Sequence, residues 1–202
     1  MNLRDEFGDI DIYLFDQLLK GRIAPGMSVL DAGCGGGRNL LYFLRQNFQV
    51  FAVDSNPQAI QLVTQLASSL SPRLSVNNFQ VADVDEMPFS NEQFDLVISS
   101  AVLHFARDQH HFDRMLTEMW RVLKPGGMLF ARLASSIGIE ALVRPVGHGW
   151  FWLPDGSERF LVNEEMLTAA AERLGARRLE ALKTTNVENL RCMTTWVLQK
   201  SV

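Results

Sequence analysis

Asp31 is followed by three glycines at alternate positions, within Val29-Leu30-Asp31-Ala32-Gly33-Cys34-Gly35-Gly36-Gly37-Arg38-Asn39. Glycine permits positive φ and lets a backbone approach a ligand closely. A helix opening after such a turn offers free N–H groups. The combination reads as a nucleotide-binding turn. A dinucleotide turn needs GxGxxG, so that a pyrophosphate reaches the helix N-terminus. Here the third position holds Arg38 when counted from Gly33, and Leu40 when counted from Gly35, so that pattern fails in both registers.

The elements that must hold this turn alternate. A short amphipathic helix is expected near residues 10–19, then a buried strand at 27–31 and a helix at 39–46. A second strand at 49–54 leads to a helix opening on Pro57, a weaker strand lies within 74–81, and a strong one spans 94–100. A helix through 113–122 and the turn Lys124-Pro125-Gly126-Gly127 precede a fifth strand at 128–133. Strands alternating with helices imply a parallel sheet covered on both faces. Residues 135–162 break the pattern, and a helix resumes at 163–174. Residues 177–185 and 193–199, joined by a polar turn, read as an antiparallel hairpin.

The 202 residues suit one domain able to bury its own core, with residues 1–24 as a helical cap and 135–162 as an insertion after strand five. A net charge of −4 without a basic block argues against nucleic acid as the main partner. Cys34 and Cys192 form no CxxC and no zinc-like cluster, so no metal site is expected and a reducing cytosol fits. With no signal-like apolar run and no membrane-length stretch, the expectation is a cytoplasmic protein without membrane contact. Nothing in the sequence speaks to oligomeric state.

With these segments in order, residues 29–133 resemble the class I S-adenosylmethionine-dependent methyltransferases. That family's first motif is an acid followed by three alternate glycines. The resemblance also takes in Asp54 at the end of strand two, Asp83 and Val84 after strand three, Phe94-Asp95-Leu96-Val97, Leu123-Lys124-Pro125-Gly126-Gly127 and the final hairpin. It implies a Rossmann-like three-layer α/β fold, with seven strands of which the last is antiparallel. It also implies an enzyme that binds S-adenosylmethionine through Asp31, Gly33, Cys34, Gly35, Asp54, Ser55, Asp83, Val84 and Ser99. Asp54 would take both ribose hydroxyls, and one carboxylate can accept two vicinal donors. Asp83 would meet the adenine amino group, and Cys34 would fill space. The plainer readings are a turn cap for Asp54 and a loop acid for Asp83.

Acceptor residues are less sharply marked. His104, just after strand four, is either a catalytic group or part of a structural turn. Arg132 interrupts an apolar strand, so it either clamps a substrate anion or pairs with a local carboxylate. His148 either meets the substrate or is a surface residue, and Trp150, in Gly147-His148-Gly149-Trp150-Phe151-Trp152-Leu153, would belong to a lid over the acceptor or to a small packed cluster. Tyr13 could close the opposite side or simply join the core. Little chain remains for a large recognition domain, which favours a small-molecule acceptor. Gly37-Arg38-Asn39 looks most like the tellurite- and thiol-modifying branch of the family. The alternative functions are a non-catalytic S-adenosylmethionine-binding subunit and, against the glycine spacing, a nicotinamide oxidoreductase.

Overall fold

The computed structural model describes residues 2–202. Helices α1 (Leu3–Phe7) and α2 (Ile12–Leu19) precede β1 (Ser28–Ala32), α3 (Leu41–Arg45), β2 (Gln49–Asp54), α4 (Pro57–Leu70) and β3 (Phe79–Val81). Then come β4 (Phe94–Ser100), α5 (Gln109–Val122), β5 (Leu123–Ser135), β6 (Arg144–Gly147), β7 (Trp150–Trp152) and β8 (Glu158–Phe160). The chain ends with α6 (Glu164–Arg173), β9 (Ala176–Arg178), β10 (Lys183–Val187) and β11 (Arg191–Lys200).

The main sheet runs β10-β11-β5-β4-β1-β2-β3. Strands β1 to β5 pair in parallel, while β11 runs antiparallel to β5 and β10. This is the Rossmann-like α/β fold that the alternating elements require. Successive residues of a strand face opposite sides, and the core divides accordingly. Leu30, Val97 and Leu129 pack with Phe112 and Met119 of α5 and Leu167 of α6. Val29, Leu96 and Phe130 pack with Leu14 of α2, Phe43 of α3 and Val63 of α4. Helices on both faces explain why β1 and β4 are buried almost without interruption.

Several boundaries differ from expectation for local reasons. Helix α5 starts four residues early because the Asp108 side chain caps it, accepting from His111 N at 2.7 Å. Helix α3 starts late because the Gly37 and Leu40 amides are spent on turn bonds to Cys34 O and Gly37 O. The expected strand 177–185 is split into β9 and β10, both on β11. Between them Leu179 N still donates to Val197 O at 2.9 Å, while the Leu179 carbonyl and Glu180 carboxylate accept from Arg22, which follows α2. Segment 135–162 is not an irregular cover: β6, β7 and β8 form a second, three-stranded antiparallel sheet. Among the described residues, no helix is long and apolar enough to cross a membrane.

Candidate active site

From β1 the chain winds to β2 and β3 on one side, then returns to place β4 and β5 on the other. At such a switch point the strand ends diverge and leave a crevice, where ligands of open α/β sheets bind. The glycine turn lies there. Gly33 N and Cys34 N donate to Val53 O at 2.9 and 3.0 Å, and Gly35 N donates to Asp54 Oδ2 at 2.8 Å. A Cβ on Gly33 would stand 2.5 Å from Val102 Cγ2, and one on Gly37 would stand 2.9 Å from Val63 Cγ2. The protein's own packing therefore demands those two glycines. Gly35 differs: its φ is +50°, and a Cβ there would meet nothing within 4 Å. Its backbone is open to a ligand.

Two buried polar atoms beside this turn lack partners among the described residues, Asp31 Oδ2 and Ser99 Oγ. They sit at the ends of adjacent strands, with Asp31 opposite Ile98, one residue before Ser99. Native proteins seldom leave such groups unsatisfied, so a ligand with donor groups fits the crevice. Burial pushes the Asp31 carboxyl up to about 7; the Arg38 charge opposes this and the Asp54 charge adds to it. Asp54 also accepts from Asn56 N at 2.9 Å, but α4 is capped by Asn56 itself, whose side chain accepts from Gln58 N. With two lone pairs on each oxygen, half-buried Asp54 keeps acceptor capacity. Ser55 and Asp83 are exposed at the same end of the sheet, and Val84 is half-buried against the core. Burial, then the charges of Asp31 and Asp54, pushes the Cys34 thiol far up, which makes it an inert spacer.

On the β5 side, Arg132 lies between Ser100 and Thr195 in register. Its guanidinium donates to Asp11 Oδ2 at 3.2 Å and stands 5.4 Å from the Tyr13 ring centroid. Ser100 Oγ donates to the same Asp11 oxygen at 3.1 Å, and Arg38 donates to Ser100 Oγ at 2.8 Å. Asp11 N donates to Asn39 Oδ1, and Tyr13 Oη meets Thr185 Oγ1 at 2.7 Å. Arg38 and Asn39 thus help to pin α2 across the strand ends. Arg132 Nε is buried without a partner, and the side chain borders a cavity of about 300 Å³. His104 borders it too. Its Nδ1 accepts from Ala134 N at 3.2 Å, which leaves the proton on Nε2. Burial, then the Arg159 charge, lowers its pKa to about 4, so at neutral pH His104 is an uncharged donor.

The family model described as "Methyltransferase domain" matches residues 30–131, half of the chain. The chain belongs to the methyltransferase domain family. A similar curated relative is the uncharacterized methyltransferase YodH of Bacillus subtilis, 36% identical over 127 residues, covering 63% of this chain and 48% of that protein. The chain thus spans about half the length of the curated relatives it matches. A SAM-dependent methyltransferase from Methanosarcina mazei aligns with TM-score 0.71 at 20% identity, over 92% of this chain and 97% of that one. The 1,6-didemethyltoxoflavin-N1-methyltransferase of Burkholderia thailandensis, solved with its namesake compound and S-adenosylhomocysteine, also gives 0.71. It is 19% identical, over 96% and 80% of the two chains.

In this methyltransferase-domain chain the residues singled out from sequence separate into groups. Asp31, Gly33, Cys34, Gly35, Asp54 and Ser99 meet at the crevice, while Arg132 and His104 share the neighbouring cavity. Arg132 does have a carboxylate partner, but it is Asp11, 121 positions away, not a local acid. Trp150 and His148 do not line that cavity. The Trp150 indole donates to Arg107 O at 3.0 Å, and His148 is exposed in the β6–β7 turn, on a different hollow. Of the aromatic segment only Leu153 reaches the Arg132 cavity, whereas Arg159 and Arg191 also line it. Both escaped the sequence reading. Arg159 lies in the unexpected strand β8, and Arg191 at the edge of a polar turn.

Proposed function

We propose that this chain transfers the methyl group of S-adenosylmethionine to a small-molecule acceptor and releases S-adenosylhomocysteine. The observation carrying this reading is the pairing of an open Gly35 backbone with two orphaned acceptors, Asp31 Oδ2 and Ser99 Oγ, beside the Arg132 cavity. Family membership and the small ligand in the Burkholderia structure support it. Asp54 would hold the ribose hydroxyls, Asp83 the adenine amino group, and Ser55 and Val84 would flank the nucleoside. Bound, the cofactor supplies an electrophilic methyl on a sulfonium. Its chemistry then needs chiefly proximity and orientation. His104 and Arg132 act by donating hydrogen bonds to the acceptor, and with its proton on Nε2 His104 is not the base.

Calorimetry with S-adenosylhomocysteine tests the cofactor assignment. Asp54→Ala is expected to weaken binding about ten- to a hundredfold, the worth of a hydrogen bond to a charged acceptor. Heat with NAD and none with S-adenosylhomocysteine would overturn the reading. Incubation with methyl-labelled S-adenosylmethionine and a metabolite extract would then identify the acceptor.

Asp31 makes binding pH-dependent. Its folded pKa near 7 lies above the unfolded value of about 3.9, so between the two the ligand-free fold holds the extra proton. The stability it confers is complete below about pH 4 and declines as pH rises towards 7. A cationic cofactor beside Asp31 favours the carboxylate and expels that proton. S-Adenosylmethionine affinity should rise by up to about fivefold from pH 6 to pH 7. Binding heats at pH 6 should differ between buffers of different ionisation enthalpy. Identical heats would show that Asp31 does not meet the cofactor's charge.

A further inference from the structure

Three arginines reach one cavity from distant parts of the chain: Arg132 from β5, Arg159 from β8 and Arg191 from the start of β11. Arg132 is matched by Asp11. Among the described residues, Arg159 and Arg191 form no ion pair within 4.0 Å. Arg159 instead lies 5.7 Å from the Phe105 ring centroid and donates to the carbonyl of Glu158. The carboxylate on the cavity wall is Asp155. Its Oδ1 is occupied by Ser157 N at 2.9 Å and Ser157 Oγ at 2.6 Å. Those bonds, followed by the charges of Arg191 and Arg159, hold its pKa below the usual range. With Arg132 set against Asp11 and one arginine against Asp155, a positive charge remains uncompensated.

Hydrogen-bonding capacity points the same way. Arginine has five N–H donors and no acceptor, and His104 presents Nε2–H, so the polar wall consists mainly of donors. An ionised carboxylate is its complement, since it only accepts. Leu153, Val187 and Met193 supply apolar wall, and about 300 Å³ is at the small end for ligand pockets. We propose that this cavity binds a small organic acid, its carboxylate held by Arg159 and Arg191 and its apolar body lying against Leu153, Val187 and Met193. Only the naming of that acid as the methyl acceptor rests on the methyl-transfer reading.

The test is calorimetric titration of the free and the S-adenosylhomocysteine-saturated protein. The probes are benzoate, phenylacetate and hexanoate, each beside its methyl ester and its primary alcohol. The acids should bind at least about tenfold more tightly than their neutral partners, because charge-assisted bonds to arginine are about twice as strong as neutral ones. Raising salt from roughly 50 to 500 mM should weaken them, since the cavity is open to solvent. Arg159→Met and Arg191→Met should each weaken the acids about tenfold. S-Adenosylhomocysteine affinity and melting temperature should stay unchanged in Arg191→Met, whose residue is exposed and lies outside the cofactor crevice. Equal binding of esters and acids, no acid binding below about 10 mM, or undiminished acid binding by Arg191→Met would each overturn the proposal. Acids that bind a protein unable to bind S-adenosylhomocysteine would support the acid site while sinking methyl transfer.

Discussion

Asp11→Asn will unfold this protein at a distinctly lower temperature and impair turnover, although asparagine caps helices as well as aspartate does. The substitution keeps Oδ1 as the acceptor for Tyr13 N, but it removes the negative charge and replaces Oδ2, the acceptor for Arg132, Arg38 and Ser100, with an NH2 donor. That charge has no exposed surface and serves Arg132, Arg38 and Ser100 together. Breaking a fully buried pair costs about 3–5 kcal/mol. Here Arg132 is 21% and Arg38 46% exposed, so water recovers part of the loss. The expected cost is about 2–3 kcal/mol, or roughly 4–12 °C in Tm for a chain of this size. Turnover should fall further than stability explains, because Asp11 ties α2 and Tyr13 over the strand ends where we propose the acceptor binds. The double-mutant cycle with Arg132→Met separates this pair from generic damage. A coupling of at least about 1 kcal/mol is expected. Strictly additive losses would show that the pair contributes nothing.

Gly33→Ala should cost about 2–4 kcal/mol, combining backbone strain with overpacking. At φ +86° an alanine is strained, and its Cβ would press within 2.5 and 2.8 Å of the two Val102 methyl carbons. Val102→Ala in the same chain removes the collision but not the strain, so it should recover roughly half of the loss. Gly35→Ala is the contrasting case. Its Cβ meets nothing, so stability should fall by only about 1–2 kcal/mol, the cost of a left-handed alanine. S-Adenosylhomocysteine binding should nonetheless fall at least about tenfold, because the methyl occupies the ligand's side of the turn. Gly35→Ala with wild-type affinity would place the cofactor elsewhere.

These variants separate two kinds of information. Asp31, Gly33, Gly35 and Gly37 were legible in the sequence because their meaning is local: a strand, a turn of positive φ and the next strand lie within a few residues. The parallel sheet was legible too, since burial on both faces leaves the central strands with consecutive apolar residues, such as Val29-Leu30 and Leu96-Val97-Ile98. The second sheet was harder to read. Its strands are three or four residues long, too short to show a period, and they are bounded by Gly147, Gly149 and Pro154. At the split between β9 and β10, Glu180 meets Arg22, 158 positions away.

By itself the sequence determined the Rossmann-like order of elements, the glycine turn at the switch point and the family to which the chain belongs. Local spacing and hydrophobic period carry those features, and both survive without coordinates. Only the tertiary structure decided what Arg132 touches, which nitrogen of His104 keeps its proton, and that Arg159 and Arg191, not Trp150 and His148, border the same cavity. The reason is physical. Burial, charge balance and tautomer depend on what lies across space, and Asp11, Ala134 and Arg159 reach their partners only once the sheet has been assembled.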